Sequence, residues 1–275
     1  MHFSFVVSGG LGYHIPNLFG NESSFTQFEN ALKLLREQGY SGVELNLSFD
    51  NRQVLSRIRD AVREEGLQLA AVGTGLIYQD RRLSFTDPDA TKREKAVRIV
   101  KELIRFAAAE RAIVIIGMVR GASSGDVAAV DLFRQSLVEC DRIASECEVS
   151  LALEAINRYE TPLLNTASDV AEVIHGAGLT ATGILLDSFH MNIEERSLEE
   201  TIRKYQKMIA HFHIADSDRW PPGHGHLKVE DQLTLLGELG YDGWVSAETL
   251  PRPNNEEAVR QTARFLRTHN FFLDS

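Results

Sequence analysis

The sequence predicts a single-domain α/β fold, a (β/α)8 TIM barrel over residues 1–275, on three observations. Eight short apolar or β-branched runs alternate with eight longer amphipathic stretches. The length, 275 residues, is near the ~250 typical of such barrels. No Gly/Ser/Pro-rich linker marks a domain boundary. The rival, a doubly wound open sheet, would usually need fewer strands or a second domain.

The strands are read at FSFVV (3–7), GVELNL (42–47), QLAAVG (68–73), AIVIIG (112–117), SLALEA (150–155), GILLD (183–187), IAHFHI (209–214) and WVSAE (244–248). Helical patterns lie near 25–38, 51–65, 88–110, 126–147, 166–177, 197–206, 230–239 and 256–269. Helix starts are signalled by Thr26 with Glu29, by Ser197 with Glu200, and by Asp87 before Pro88. Gly39, Gly66 and Gly240 each follow a helical pattern, where a left-handed cap favours glycine. EQGYSGVEL and GELGYDGWVS repeat one helix–glycine–aromatic–strand transition, as a repeated βα unit would.

Composition narrows the partners. With 39 acidic and 29 basic residues the formal charge is −10, so the average surface repels polyanions, and no basic stripe suggests a nucleic-acid partner. Cys140 and Cys147 sit seven apart in one predicted helix, which fits neither a metal knuckle nor a disulfide framework; buried thiols in a reducing compartment are expected. The first residues, MHFSFVVSGG, carry no secretion signal, and no run approaches the ~18 apolar residues of a membrane span. A soluble, cytoplasmic protein is expected.

The stretch LALEAINRYE (151–160) drives a carboxylate, Glu154, to the end of an apolar strand. In a barrel the C-terminal strand ends build the active site. The sixth strand ends in Asp187, with His190 three residues on; the seventh carries His213, followed by Asp216 and Arg219; the eighth ends in Glu248. Any one of these carboxylates could be a helix cap or a surface charge. Four groups on successive strands, however, converge at one mouth, and three carboxylates with an imidazole call for a cation between them. Oxygen-rich donors without sulfur favour Mn²⁺, Mg²⁺ or Co²⁺, with Zn²⁺ as an alternative. Arg219 and His190 flank the cluster and could hold substrate oxygens. Tyr159 and Trp220 are expected to line the pocket, and His211 to be a core histidine. His224 and His226 are expected to be loop histidines in a segment that could close over the mouth.

The motifs LEAINRYETPLLNT, LLDSFHMNIEE, HFHIADSDRWPPGHGH and GYDGWVSAETL resemble the xylose-isomerase-like, AP-endonuclease-2-type barrel superfamily and, within it, the ketose 3-epimerases. AVGTGLIYQDRRLSFTDPD and VIIGMVRG are similar to the 5-keto-L-gluconate epimerase type, which acts on acidic keto-sugars. The resemblance covers nearly the whole chain and is weakest over residues 8–24. It implies that Glu154, Asp187, His213 and Glu248 hold a divalent metal, Mn²⁺ first among the candidates. It further implies that Glu154 and Glu248 are the two acid/base groups, that Glu160, His190 and Arg219 hold substrate oxygens, and that the protein is a dimer or tetramer.

Arg120, in GMVRGA, is a candidate grip for a substrate carboxylate, a surface ion pair being the alternative. The expected reaction is epimerisation at C3 of a ketose or acidic keto-sugar. An aldose–ketose isomerase of hydroxypyruvate-isomerase type would share the barrel and metal. A DNA-cleaving AP endonuclease would need a multi-zinc cluster and basic phosphate contacts, and a non-catalytic sugar-binding protein would be expected to have lost one of the two glutamates.

Overall fold

The computed structural model describes residues 1–122 and 127–272. Eight parallel strands form the barrel: β1 His2–Ser8, β2 Gly42–Asn46, β3 Gln68–Gly73, β4 Ile113–Ile116, β5 Leu151–Glu154, β6 Thr182–Asp187, β7 Ile209–Ile214 and β8 Trp244–Ala247. Each pairs with the next, and β1 closes on β8 from His2↔Trp244 to Phe5↔Ala247. Closure leaves no long strand edge to attract another chain. A two-residue strand, Tyr13–His14, adds to the end of β1.

The helices are α1 Glu22–Glu37, α2 Arg52–Glu64, α3 Gly75–Arg81, α4 Ala90–Glu110, α5 Val127–Glu146, α6 Ala167–Gly176, α7 Ser188–Glu194, α8 Leu198–Tyr205, α9 Val229–Glu238 and α10 Asn255–Thr268. All eight predicted helices are present within a few residues of their expected bounds, although position 126 lies outside the described residues. The short helices α3 and α7 are additions. At seven residues each, they complete too few turns to show a helical period.

Two expected starts move. The capping box of α1 is Asn21 with Ser24, whose bond from Ser24 N to Asn21 Oδ1 is 2.9 Å; Thr26 and Glu29 lie inside the helix. Helix α4 is capped by Asp89, which accepts from Thr91 N at 2.9 Å, because Asp87 instead braces the turn by accepting from Asp89 N. Ser197 caps α8 as expected, accepting from Glu200 N at 3.3 Å. Gly39 and Gly240, in the repeated transition, have φ of +88° and +75°, a region other residues enter at a cost. No helix among the described residues is long and apolar enough to cross a membrane.

Strand alternation sorts the interior into two layers. Side chains such as Phe5, Val43, Val72, Val114, Leu153, Leu186 and Phe212 face outward and pack under the helices in one continuous core. The inward set is smaller: Ala71, Ile115, Ala152 and Leu185 form a separate cluster inside the barrel. Small inward residues leave room for polar ones. Ser4, Glu44, His211 and Ser246 occupy the axis, each at most 1% exposed. The register shifts by one where β2 meets β3 at Val43/Glu44, and again where β6 meets β7 at Ile184/Leu185. These irregularities sit beside Glu44 and His211, and such bulges re-aim side chains near functional sites.

Phe5 is 0% exposed and meets Tyr40 edge-on, with ring centroids 5.7 Å apart. Phe5→Ala should lose about 3–5 kcal/mol of stability through lost burial and a residual cavity. Urea denaturation would show this as a lower midpoint with little change in slope; an unchanged midpoint would contradict the packing described.

Candidate active site

Glu154 and Asp187 are the last residues of β5 and β6, His213 is next to last in β7, and Glu248 follows β8 directly. One donor atom from each of the four lies within 4.8 Å of the others. Glu154, Asp187 and His213 are 7%, 0% and 2% exposed. The predicted convergence of these four side chains is therefore present. Gly117 makes room for it: a Cβ there would stand 2.7 Å from Glu154 Oε2.

Asp187 divides its two oxygens. Oδ1 caps α7, accepting from Phe189 N at 2.7 Å and His190 N at 3.3 Å. Oδ2 accepts from Arg219 Nη1 at 2.8 Å and lies 3.5 Å from His213 Nδ1. Glu248 Oε2 is likewise 3.5 Å from that nitrogen and accepts from Arg219 Nη2. The backbone of Arg219 is left-handed, φ 63°, which costs about 1–2 kcal/mol for a residue with a Cβ. Two charge-assisted bonds offset that cost.

The carboxylates strain one another electrostatically. Burial, then the charge of Glu248, pushes the Glu154 carboxyl up to about 8. Burial would raise Asp187 and Glu248 too, but Arg219 and His213 together, joined by His190 at Asp187, overcome it and hold both below the usual carboxylate range. Burial opposes charge on His213, yet Glu44 and Glu248 prevail and hold its pKa well above the ordinary value. His213 Nδ1 is buried without a hydrogen-bond partner and faces the carboxylate oxygens. Three carboxyl groups and one imidazole nitrogen, with no thiolate, form a donor set suited, once deprotonated, to a divalent cation such as Mn²⁺ or Mg²⁺. The residues present fit such an ion.

Beside the cluster, Asn157 organises two of the predicted substrate-binding residues. Its Nδ2 donates to Glu160 Oε1 at 2.9 Å and to His190 Nδ1 at 2.7 Å, while its Oδ1 accepts from Tyr159 N at 2.9 Å. That last bond fixes which end of the amide is NH₂. His190 Nδ1 must then accept, so the proton of the neutral ring sits on Nε2, which is 3.6 Å from Glu154 Oε1. Burial lowers the His190 pKa to about 4, keeping the ring neutral near pH 7. The NRYE turn is pinned to α7 by Arg158, whose Nη2 meets Glu194 Oε2 at 2.6 Å. The pocket above the cluster encloses about 600 Å³ including its mouth, walled on the far side by Leu11, Asn46, Thr74, Gln79 and Met118.

Several expectations need correction. Arg120 does not offer itself to a substrate carboxylate. It is 0% exposed, and its guanidinium donates to the backbone carbonyls of Gly117, Leu163, Ile116 and Glu154, clamping the ends of β4 and β5. The short segment after β4 folds back as a 3-10 turn, Met118–Arg120, which turns the side chain inward. Tyr159 is 82% exposed and does not line the pocket. Trp220 instead stacks on His224, with centroids 4.1 Å apart. His224 and His226 are exposed loop residues, and His224 pairs with Asp218 at 2.7 Å. Asp216 is buried but holds its own loop, accepting from Gly223 N and Leu227 N. His211 is the expected core histidine, bonded to Glu44 at 2.9 Å.

Sequence reasoning missed Asn157 and Glu44. Glu44 had a readable signal: a carboxylate in mid-strand, in GVELN, on the face that register turns inward.

The family model for the xylose isomerase-like TIM barrel matches residues 32–269. The chain belongs to that family. Within the xylose isomerase-like family it is similar to D-psicose 3-epimerase of Enterocloster bolteae, 27% identical over 249 residues covering 85% of this chain and 80% of that protein. It is also similar to ketose 3-epimerase of Arthrobacter globiformis, 31% identical over 222 residues covering 78% and 74%. The crystal structure of 3-keto-D-glucoside 4-epimerase from Escherichia coli shares the fold, with a TM-score of 0.77 at 22% identity over 98% of this chain and 99% of that one. These relatives are isomerase-class enzymes acting on sugars.

Cation binding should depend on pH with a definite sign. Glu154 keeps its proton below about 8, and His213 keeps its proton above the ordinary histidine pKa; a cation needs both groups bare. Mn²⁺ affinity should therefore rise from pH 6 to pH 8, by about tenfold per unit for each proton displaced. Titration of free Mn²⁺ by electron paramagnetic resonance checks this, and a flat profile would contradict it.

Proposed function

We propose that the protein epimerises the carbinol carbon next to the ketone of a ketose, at C3, with Glu154 and Glu248 as the two acid/base groups. The observation that carries this reading is the convergence of two glutamates, buried Glu154 from β5 and partly buried Glu248 from the end of β8, on one cluster containing Asp187 and His213. A structural ion site has no need of two such bases.

Glu154, Asp187, His213 and Glu248 would hold a divalent cation, Mn²⁺ in this proposal. When bound, the ion supplies Lewis-acid polarisation of the ketone and stabilises negative charge developing on its oxygen. One glutamate, as carboxylate, takes the proton from C3, and the C–H electron pair moves into a C2–C3 double bond to give the enediolate. The other, as carboxylic acid, returns a proton to C3 on the opposite face, and the C2 carbonyl re-forms. His190, through Nε2–H, and Arg219 would hold substrate oxygens and stop the enediolate collapsing toward C1, the outcome that defines an aldose–ketose isomerase. Glu160, accepting from Asn157, would take a substrate hydroxyl.

A neutral ketose is favoured over a keto-uronate. Among the described residues, the basic side chains lining the pocket are Arg219, His190 and His213. Arg219 spans Asp187 and Glu248, His190 is neutral, and Arg120 is sealed behind the strand ends. An acidic keto-sugar of the 5-keto-L-gluconate kind would meet Glu154, Glu160 and Glu248 without a free cation from these groups. The 4-epimerisation of a 3-keto-glycoside is the same chemistry one carbon along, and product analysis separates the two.

The Mn²⁺-loaded protein, incubated in D₂O with neutral ketoses, keto-uronates and 3-keto-glycosides, should place deuterium at C3 of a neutral ketose and yield its epimer. Glu154→Gln and Glu248→Gln should each lower turnover by about 10²–10⁴-fold. Deuterium at C1 with an aldose product, or turnover retained in both variants, would overturn the proposal.

A further inference from the structure

Beneath the cluster lies a buried polar layer that the proposed chemistry does not use. Glu44, on β2, is 1% exposed and surrounded by barrel strands. An ionised carboxylate there is costly unless it is paired. Its Oε2 meets two imidazoles from β7, His211 Nε2 at 2.9 Å and His213 Nε2 at 3.1 Å. His211 Nε2 also meets Ser246 Oγ at 3.0 Å, and Ser246 Oγ meets Ser4 Oγ at 2.6 Å. Two strands across the barrel from each other are thus joined through one oxygen.

The layer acts on His213. A carboxylate oxygen accepts, so the His213 nitrogen facing Glu44 carries the proton. The remaining nitrogen, Nδ1, faces Asp187 and Glu248, each with an oxygen 3.5 Å away, has no hydrogen-bond partner, and is the one whose lone pair a cation would take. A carboxylate on the far nitrogen of a metal-ligating histidine fixes the tautomer, locks the ring and raises its basicity. We infer that Glu44 is a positioning residue that holds His213 as the Nε2–H tautomer, with Nδ1 as the atom that binds the cation. This rests on the proposed metal site and names a residue outside the four ligands.

Glu44→Gln keeps the volume and removes the charge. Isothermal titration with Mn²⁺ at pH 7.5 should show one equivalent bound by the parent and a Kd weaker by about 10–100-fold in Glu44→Gln. The metal-free variant should keep the parent's circular dichroism. Ser246→Ala disturbs the same buried layer by removing a hydroxyl bonded to His211 and Ser4 while leaving the Glu44–His213 hydrogen bond in place, and its Mn²⁺ Kd should stay within twofold of the parent's. A Glu44→Gln Kd within twofold of the parent's, or an equal loss in Ser246→Ala, would overturn the inference. So would two equivalents in the parent with one lost in Glu44→Gln, since Glu44 would then be a ligand itself. Should Glu44→Gln fail to fold, ¹⁵N spectra of the histidine rings in the Mg²⁺-loaded parent decide: a protonated Nε2 on His213 supports the inference and a protonated Nδ1 overturns it. A parent that binds no divalent cation would instead remove the metal site on which the inference stands.

Discussion

Like charge held together out of solvent is the constraint that organises this molecule. Glu154, Asp187 and Glu248 come within a few ångströms of one another at the barrel mouth, with Glu160 behind them. Carboxylates in such a place either share protons or gather positive charge. The chain does both. Glu154 is pushed toward its protonated form, while Arg219 reaches between Asp187 and Glu248 from a strained left-handed backbone. His213 presents an unpartnered nitrogen to the same oxygens. A divalent cation would relieve what these groups leave unbalanced.

The barrel makes the cluster affordable. Parallel strands end together, so four neighbouring strands deliver four side chains to one mouth without any long loop to order. An outer apolar layer between strands and helices supplies the burial energy, which frees the axis for small and polar residues. Arg120, its guanidinium spent on backbone carbonyls, ties the ends of β4 and β5 and so fixes where Glu154 begins. Gly117 leaves that side chain the space it needs.

Much of this was legible in the sequence. The eight strands were readable because a strand covered on both faces is a short apolar run, and the four clustered groups because polar residues ending such runs stand out. What escaped did so for physical reasons. The seven-residue helices α3 and α7 are too short to carry a period. Arg120 looked like a surface grip because a 3-10 turn, which decides its direction, leaves no compositional trace. Tyr159 sits one residue from Glu160 yet faces solvent, since the Asn157 turn points alternate side chains apart. Glu44 depended on register: only the pairing of Glu44 with Ala71, and of His211 with Leu185, puts the two on the inner face together.

The most direct test of the central claim is anomalous diffraction from a crystal soaked in Mn²⁺. The account predicts one strong peak at the mouth, about 2.0–2.3 Å from His213 Nδ1 and from a carboxylate oxygen each of Glu154, Asp187 and Glu248. A peak among Glu44, His211 and His213 instead, or no peak at the mouth, would contradict it.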